Sequence, residues 1–154
     1  MRAYQAPVVE VAALGSDDSQ ALTYPNKPRD IDAGKFKKWL SQIYPPGVME
    51  RTNPRTKKVY AIQSTEGTLR FSPAGSNTKQ RYAILEGDIR LTDEGADEFS
   101  YQGKLQVVVG YRAGDTRPES FCGIFDGSYP RTDRRRDRTR TLPLRAAIES
   151  LPRQ

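Results

Sequence analysis

The chain reads as an α+β protein, mainly β, in which an antiparallel meander sheet of about five strands packs on one amphipathic helix. Three observations predict this. Apolar residues recur with a period of two through much of residues 57–111. One clean helical stripe precedes them. The links between the alternating stretches are short, which favours antiparallel neighbours.

The elements follow in order. Val8 to Leu14 reads as a short strand, and Gly15 to Arg29 as a polar loop or arm rich in Ser, Asp and Pro. The spacing predicts a helix over residues 33–44. Phe36, Trp39, Leu40 and Ile43 fall at i, i+3, i+4 and i+7, while Lys35, Lys37, Lys38, Ser41 and Gln42 take the other face. Asp30 or Asp32 can cap its start, and Pro45-Pro46 ends it because proline lacks the N–H donor. Trp39 belongs to the core face, and the three lysines read as a solvated one.

Lys57 to Gln63 and Thr68 to Ser72 flank Ser64-Thr65-Glu66-Gly67, which predicts a hairpin. Gln80 to Thr92 predicts a long strand. Ala83, Leu85, Gly87, Ile89 and Leu91 share one face, with Gly87 a candidate bulge. Phe99, Tyr101, Leu105, Val107, Val109 and Tyr111 alternate without losing phase across Gly103. One bulged strand is therefore preferred to two strands joined by a turn at Gln102-Gly103. Ser120 to Phe125 is a short apolar run, consistent with a strand buried on both faces and closed by Asp126-Gly127.

Past Gly127 the composition shifts. Residues 131–154 hold eight arginines against Asp133, Asp137 and Glu149, a net charge of +5. Residues 1–130 hold 17 Lys and Arg against 16 Asp and Glu, so the body is nearly neutral. Pro130 to Thr141 has no apolar anchor, and such a segment is expected to be mobile when unbound. Leu144, Ala147, Ile148 and Leu151 then form a helical stripe, with Pro143 suited to a first turn. The expected organisation is an arm over residues 1–30, a β-rich domain over 31–128, and a basic extension over 129–154 that ends in a short helix.

Much catalytic chemistry is excluded by residue type. The chain has no histidine and one cysteine, Cys122. No zinc site of the usual Cys/His kind and no Ser–His or Cys–His nucleophile pair can be built from that set. No intramolecular disulfide is possible, and the lone thiol fits a reducing compartment. No phosphate-cradling glycine loop or dinucleotide fingerprint is present. No resident cofactor or metal is expected. Glu86 and Asp88 share a strand face, and paired carboxylates can do glycosidase chemistry, but a solvated face with Arg90 as partner is the preferred reading. The run from Asp93 to Glu98 lacks calcium-loop spacing and reads as an acidic turn. Cys122, set between Phe121 and Gly123, reads as a small buried hydrophobe.

The arginines carry more content. Six occur within residues 131–140, and no lysine does. Arginine offers a planar fork that binds phosphate bidentately, a property that a mere solubility tail does not need. Arg131, Arg134, Arg135, Arg136, Arg138, Arg140 and Arg145 are the candidate nucleic-acid-binding residues. Tyr129 is near enough in sequence to stack on a base. Flexible arginine-rich arms often order on RNA, which favours RNA over DNA. Thr132, Thr139 and Thr141 lie among the arginines, where phosphorylation would cancel charge.

The expected role is a non-enzymatic structural or binding protein that contacts nucleic acid in a ribonucleoprotein or virion. The alternative is a viral or phage structural protein of capsid, matrix or tail type that makes mainly protein–protein or membrane-surface contacts, and an acidic protein surface is the other partner expected for the arginines. No segment has the length and apolarity of a signal peptide or a membrane span, so a cytoplasmic, nuclear or virion location is expected, within a larger assembly.

Overall fold

The computed structural model describes residues 15–43, 53–58, 60–95, 99–133 and 135–150. Among these, seven strands form one antiparallel sheet that carries most of the chain. The mainly-β, α+β expectation holds at that level. The expected strand at residues 8–14 lies outside the described residues.

Helix α1 (Ser16–Ala21) occupies part of the expected polar loop. Its start is closed by the buried Asp18, whose carboxylate accepts from the backbone N–H of Gly15 at 3.0 Å. Strand β1 (Arg29–Asp32) follows, then a 3-10 turn (Ala33–Phe36) and a single helical turn, α2 (Lys37–Leu40). The expected helix over 33–44 is thus shorter and partly 3-10. Its stripe is correct, because Phe36, Trp39, Leu40 and Ile43 are all buried. Asp32 is the cap, accepting from Gly34 N–H at 2.6 Å, whereas Asp30 pairs with Arg70 at 3.0 Å.

The expected hairpin around Ser64–Gly67 does not form. Strand β2 (Ile62–Glu66) and strand β3 (Thr68–Ser76) both pair with β4 (Gln80–Asp93), not with each other. Glu66 faces Arg90 and Arg70 faces Glu86, so β2 and β3 share one register and make a single strand bent at Gly67. Gly67 sits at φ 134°, and a Cβ there would lie 2.2 Å from the Asp88 carbonyl oxygen. Only glycine suits that conformation and that approach. The irregularity near Gly87 therefore belongs to the neighbouring strand at Gly67.

Strand β5 (Ser100–Arg112) runs unbroken. Gly103 keeps its place in the ladder opposite Ile89 and Gly127, so one strand is right and the bulge is not. Glycine is needed there because a Cβ would fall 2.4 Å from the Gly127 Cα and 2.8 Å from the Phe125 ring. The ring lies over the two facing glycines and fills the space that they leave.

Strands β6 (Ser120–Asp133) and β7 (Arg138–Glu149) complete the meander and differ most from expectation. β6 does not close at Asp126-Gly127, and the expected boundary at 128/129 falls inside it. It is buried on one face only: Phe125 is covered, while Cys122 is exposed and Ile124 is 54% exposed. The helix expected after Leu142 is β7. Leu144 is buried, and Leu142, Ala146 and Ile148 pack beside it with the period of a strand. Pro143 sits on an edge strand, where a missing N–H costs no ladder bond.

The architecture is a sheet with one face covered by residues 22–43. Leu69, Phe71, Leu85, Leu91, Leu105, Val107, Val109 and Phe125 meet Leu22, Phe36, Trp39 and Leu40 across the layer boundary. Fully burying such a side chain contributes about 1.5–3 kcal/mol. Two tyrosines near the ends of β5 tie the layers together. The Tyr111 hydroxyl donates to the Leu22 carbonyl at 2.6 Å, and the Tyr101 hydroxyl donates to the Ile43 carbonyl.

Candidate nucleic-acid interface

The uncovered face of the sheet is charged but self-compensated. One rung crosses four strands as Asp88, Lys104, Asp126 and Arg145, with alternating sign. Arg145 Nε donates to Asp126 at 3.3 Å. Opposite charges facing across strands stabilise by roughly 0.2–1 kcal/mol. Other arginines outside the hairpin tip also have partners. Arg70 meets Asp30, and Arg112 meets Glu119 at 2.8 Å. Arg29 donates to the Ala21 and Thr23 carbonyls. Arg81 donates to the Asp115 carbonyl at 2.6 Å and lies 4.0 Å over the Tyr24 ring.

The far end of the β6–β7 hairpin is different. The last β5–β6 rung is Gln102–Ser128, but β6 and β7 stay paired for five further rungs, to Asp133–Arg138. At about 3.3 Å per residue, the pair runs about 17 Å past its neighbour. The first of these rungs, Tyr129–Leu142, is packed on the core, and the rest is exposed. The segment expected to be mobile is thus a two-stranded ribbon.

Its turn explains the two aspartates. The Asp133 carboxylate accepts from Arg135 N–H at 3.0 Å, and Arg136 N–H donates to the Asp133 carbonyl at 3.2 Å. Asp137 takes φ 47°, a left-handed position that short polar side chains tolerate. Both residues therefore supply turn chemistry as well as negative charge.

The ribbon sorts the predicted arginines. Arg131 and Arg140 face each other across the strands, and Arg138 lies two residues along on the same face. The other face carries Pro130, Thr132, Thr139 and Thr141, with the Thr132 and Thr139 hydroxyls 3.1 Å apart. Arg135 and Arg136 occupy the turn. Arg134 lies outside the described residues. Arg145 does not belong with this group: it is on the opposite face of β7, engaged with Asp126. Among the described residues no carboxylate lies within ion-pair distance of Arg131, Arg135, Arg136, Arg138 or Arg140. Tyr129 is 6% exposed and cannot stack on a base without leaving the core.

The remaining candidates resolve into structure. Glu86 accepts from the Gln106 amide at 3.2 Å on the open face, and Asp88 belongs to the alternating rung. Asp93 is fully buried and accepts from Gly95 N–H at 2.9 Å, while Glu94 accepts from Ala61 N–H at 3.1 Å. Residues 96–98 lie outside the described set. Among the described residues no group of three or more potential ligands could hold a metal ion, and no helix is long and apolar enough to cross a membrane. Cys122 faces Val108 and Glu149 across its neighbours, so no cation stands beside the thiol there to activate it. Two shallow depressions of about 600 Å³ are open to solvent, one around Lys79, Arg112 and Glu119, the other over the alternating rung. No family model, curated protein or solved structure matches this chain.

Proposed function

We propose that the protein is a non-enzymatic nucleic-acid-binding component of a larger assembly, such as a ribonucleoprotein or virion, and that the β6–β7 ribbon is its phosphate-contacting element. One observation carries the reading. Arg131 and Arg140 face each other on an exposed ribbon with no described carboxylate within ion-pair distance of either, although Asp133 lies opposite Arg138 on the same face, in a protein whose open sheet face sets opposite charges against each other. Like charges directly opposite are destabilising in a sheet. A polyanion removes that repulsion, and each phosphate contact releases condensed counterions. The preference for RNA over DNA rested on a flexible arm, and the ribbon takes that support away.

The test is fluorescence anisotropy with labelled nucleic acid across a salt series, using the full chain and the variant R131Q/R138Q/R140Q. Deleting the extension is unsuitable because it would remove β7 and the core residue Leu144. The wild type should bind with a steep salt dependence, and the variant should bind weakly with a shallower one. Equal affinity and equal slope would remove the ribbon from the interface.

A further inference from the structure

We infer that the ribbon's partner is the major groove of double-stranded DNA, an inference that rests on the nucleic-acid reading above. Three features select it. The first is order. An arm that folds only on its target can wrap irregular single strands and loops. Residues 129–133 and 138–142 instead continue the ladder already formed in the sheet and present Arg131, Arg138 and Arg140 on one face, with Asp133, whose carboxylate is engaged by the Arg135 N–H in the turn, opposite Arg138. A preformed, ladder-bonded element suits a regular target better than an irregular one.

The second is width. Strands in a sheet lie about 4.7–4.9 Å apart, so a two-stranded ribbon with its side chains fits the roughly 12 Å major groove of B-form DNA. The major groove of an A-form RNA duplex is deep and too narrow for side chains to read. The third is what the ribbon lacks. Single-stranded nucleic acid is held by a basic groove combined with aromatic side chains on which the bases stack. Residues 130–141 contain none, and Tyr129 is committed to the core. The ribbon offers guanidinium forks on one face and threonines on the other. Arginine pairs bidentately with the O6 and N7 of guanine, and threonine contacts any base edge.

The experiment measures binding of the full chain to one sequence in three forms: duplex DNA, duplex RNA and single-stranded DNA. Each is about two helical turns long, roughly 21 base pairs or nucleotides, and each is titrated at about 0.15 M salt. A dimethyl sulfate footprint on the duplex DNA reads access to guanine N7 in the major groove. The expected result is about tenfold tighter binding to duplex DNA than to either other form, as one bidentate contact supplies. N7 protection should accompany it and should be lost in R131Q/R140Q. Unfolding midpoints of the variant confirm that the fold is intact. Equal binding to all three forms, a preference for RNA or single strands, or duplex DNA binding without N7 protection would overturn the major-groove assignment while leaving phosphate binding in place. No binding to any of the three would overturn both.

Discussion

The inner and outer halves of the β6–β7 hairpin are made from the same two strands in one continuous register, yet they follow opposite rules. In the inner half, Phe125 and Leu144 are buried, and Arg145 is matched to Asp126. In the outer half only the first rung, with Tyr129 buried and Leu142 partly buried, touches the core, and Arg131 faces Arg140. The inner half holds the outer one in place. Its packing supplies the free energy that a short isolated ribbon lacks, since a lone two-stranded hairpin is marginal in water. The difference teaches that the ribbon's order is borrowed from the sheet, while its like-charge pair adds nothing to the fold.

The largest effects should come from breaking the inner half. Phe125→Ala removes the ring over Gly103 and Gly127 and should cost about 3–5 kcal/mol in urea unfolding. Because the ribbon depends on that packing, nucleic-acid affinity should fall with it. Gly103→Ala places a methyl group within 2.5 Å of the Asp126 carbonyl oxygen and should cost about 1–3 kcal/mol through backbone displacement.

Tyr111→Phe is intermediate. It leaves the Leu22 carbonyl without its donor, at a cost of about 1–3 kcal/mol. The Tyr111 phenol also gives the fold a pH signature. Burial pushes its ionisation well above the ordinary value, and the charge of Arg29 opposes that only in part. The folded state then holds the proton more tightly than the unfolded chain does. This contribution is complete below about pH 10, the ordinary tyrosine value, and is lost as pH rises beyond it. An unfolding series from neutral pH upward should show the decline in the wild type and a weaker one in Tyr111→Phe.

The smallest stability effect should come from the outer half. Arg131→Gln relieves a like-charge pair and should leave stability unchanged or raise it by a few tenths of a kcal/mol. The same substitution should weaken nucleic-acid binding, a separation of folding from function that no inner-half variant can give.

The sequence disclosed the two layers better than their joints. Alternation in residues 80–111 and the stripe Phe36, Trp39, Leu40 and Ile43 placed most of the core. The segment after Leu142 is ambiguous in sequence, because Leu144, Ala147 and Ile148 fit a helix while Leu142, Leu144, Ala146 and Ile148 fit a strand. A short apolar run does not decide between the two periods. What decides is the partner strand, which lies across a turn whose chemistry, Asp133 and Asp137, reads locally as scattered acid. Gly67 is ambiguous likewise: a glycine after polar residues signals a turn, whereas its role is a bend against Asp88. For the interface, the identities of the arginines were legible and their arrangement was not. Facing positions, the burial of Tyr129 and the separation of Arg145 all depend on the register of β6 with β7.

On the proposed reading, the unpartnered arginines of the ribbon neutralise the phosphate charge of a nucleic acid. The slope of log binding constant against log salt concentration tests it most directly, for the wild type beside R131Q/R138Q/R140Q. If each arginine neutralises one phosphate charge on duplex DNA, from the groove or at the backbone, the slope should become shallower by about 0.9 for each residue removed, close to 3 in all. An unchanged slope, with the variant still folded, would contradict the claim.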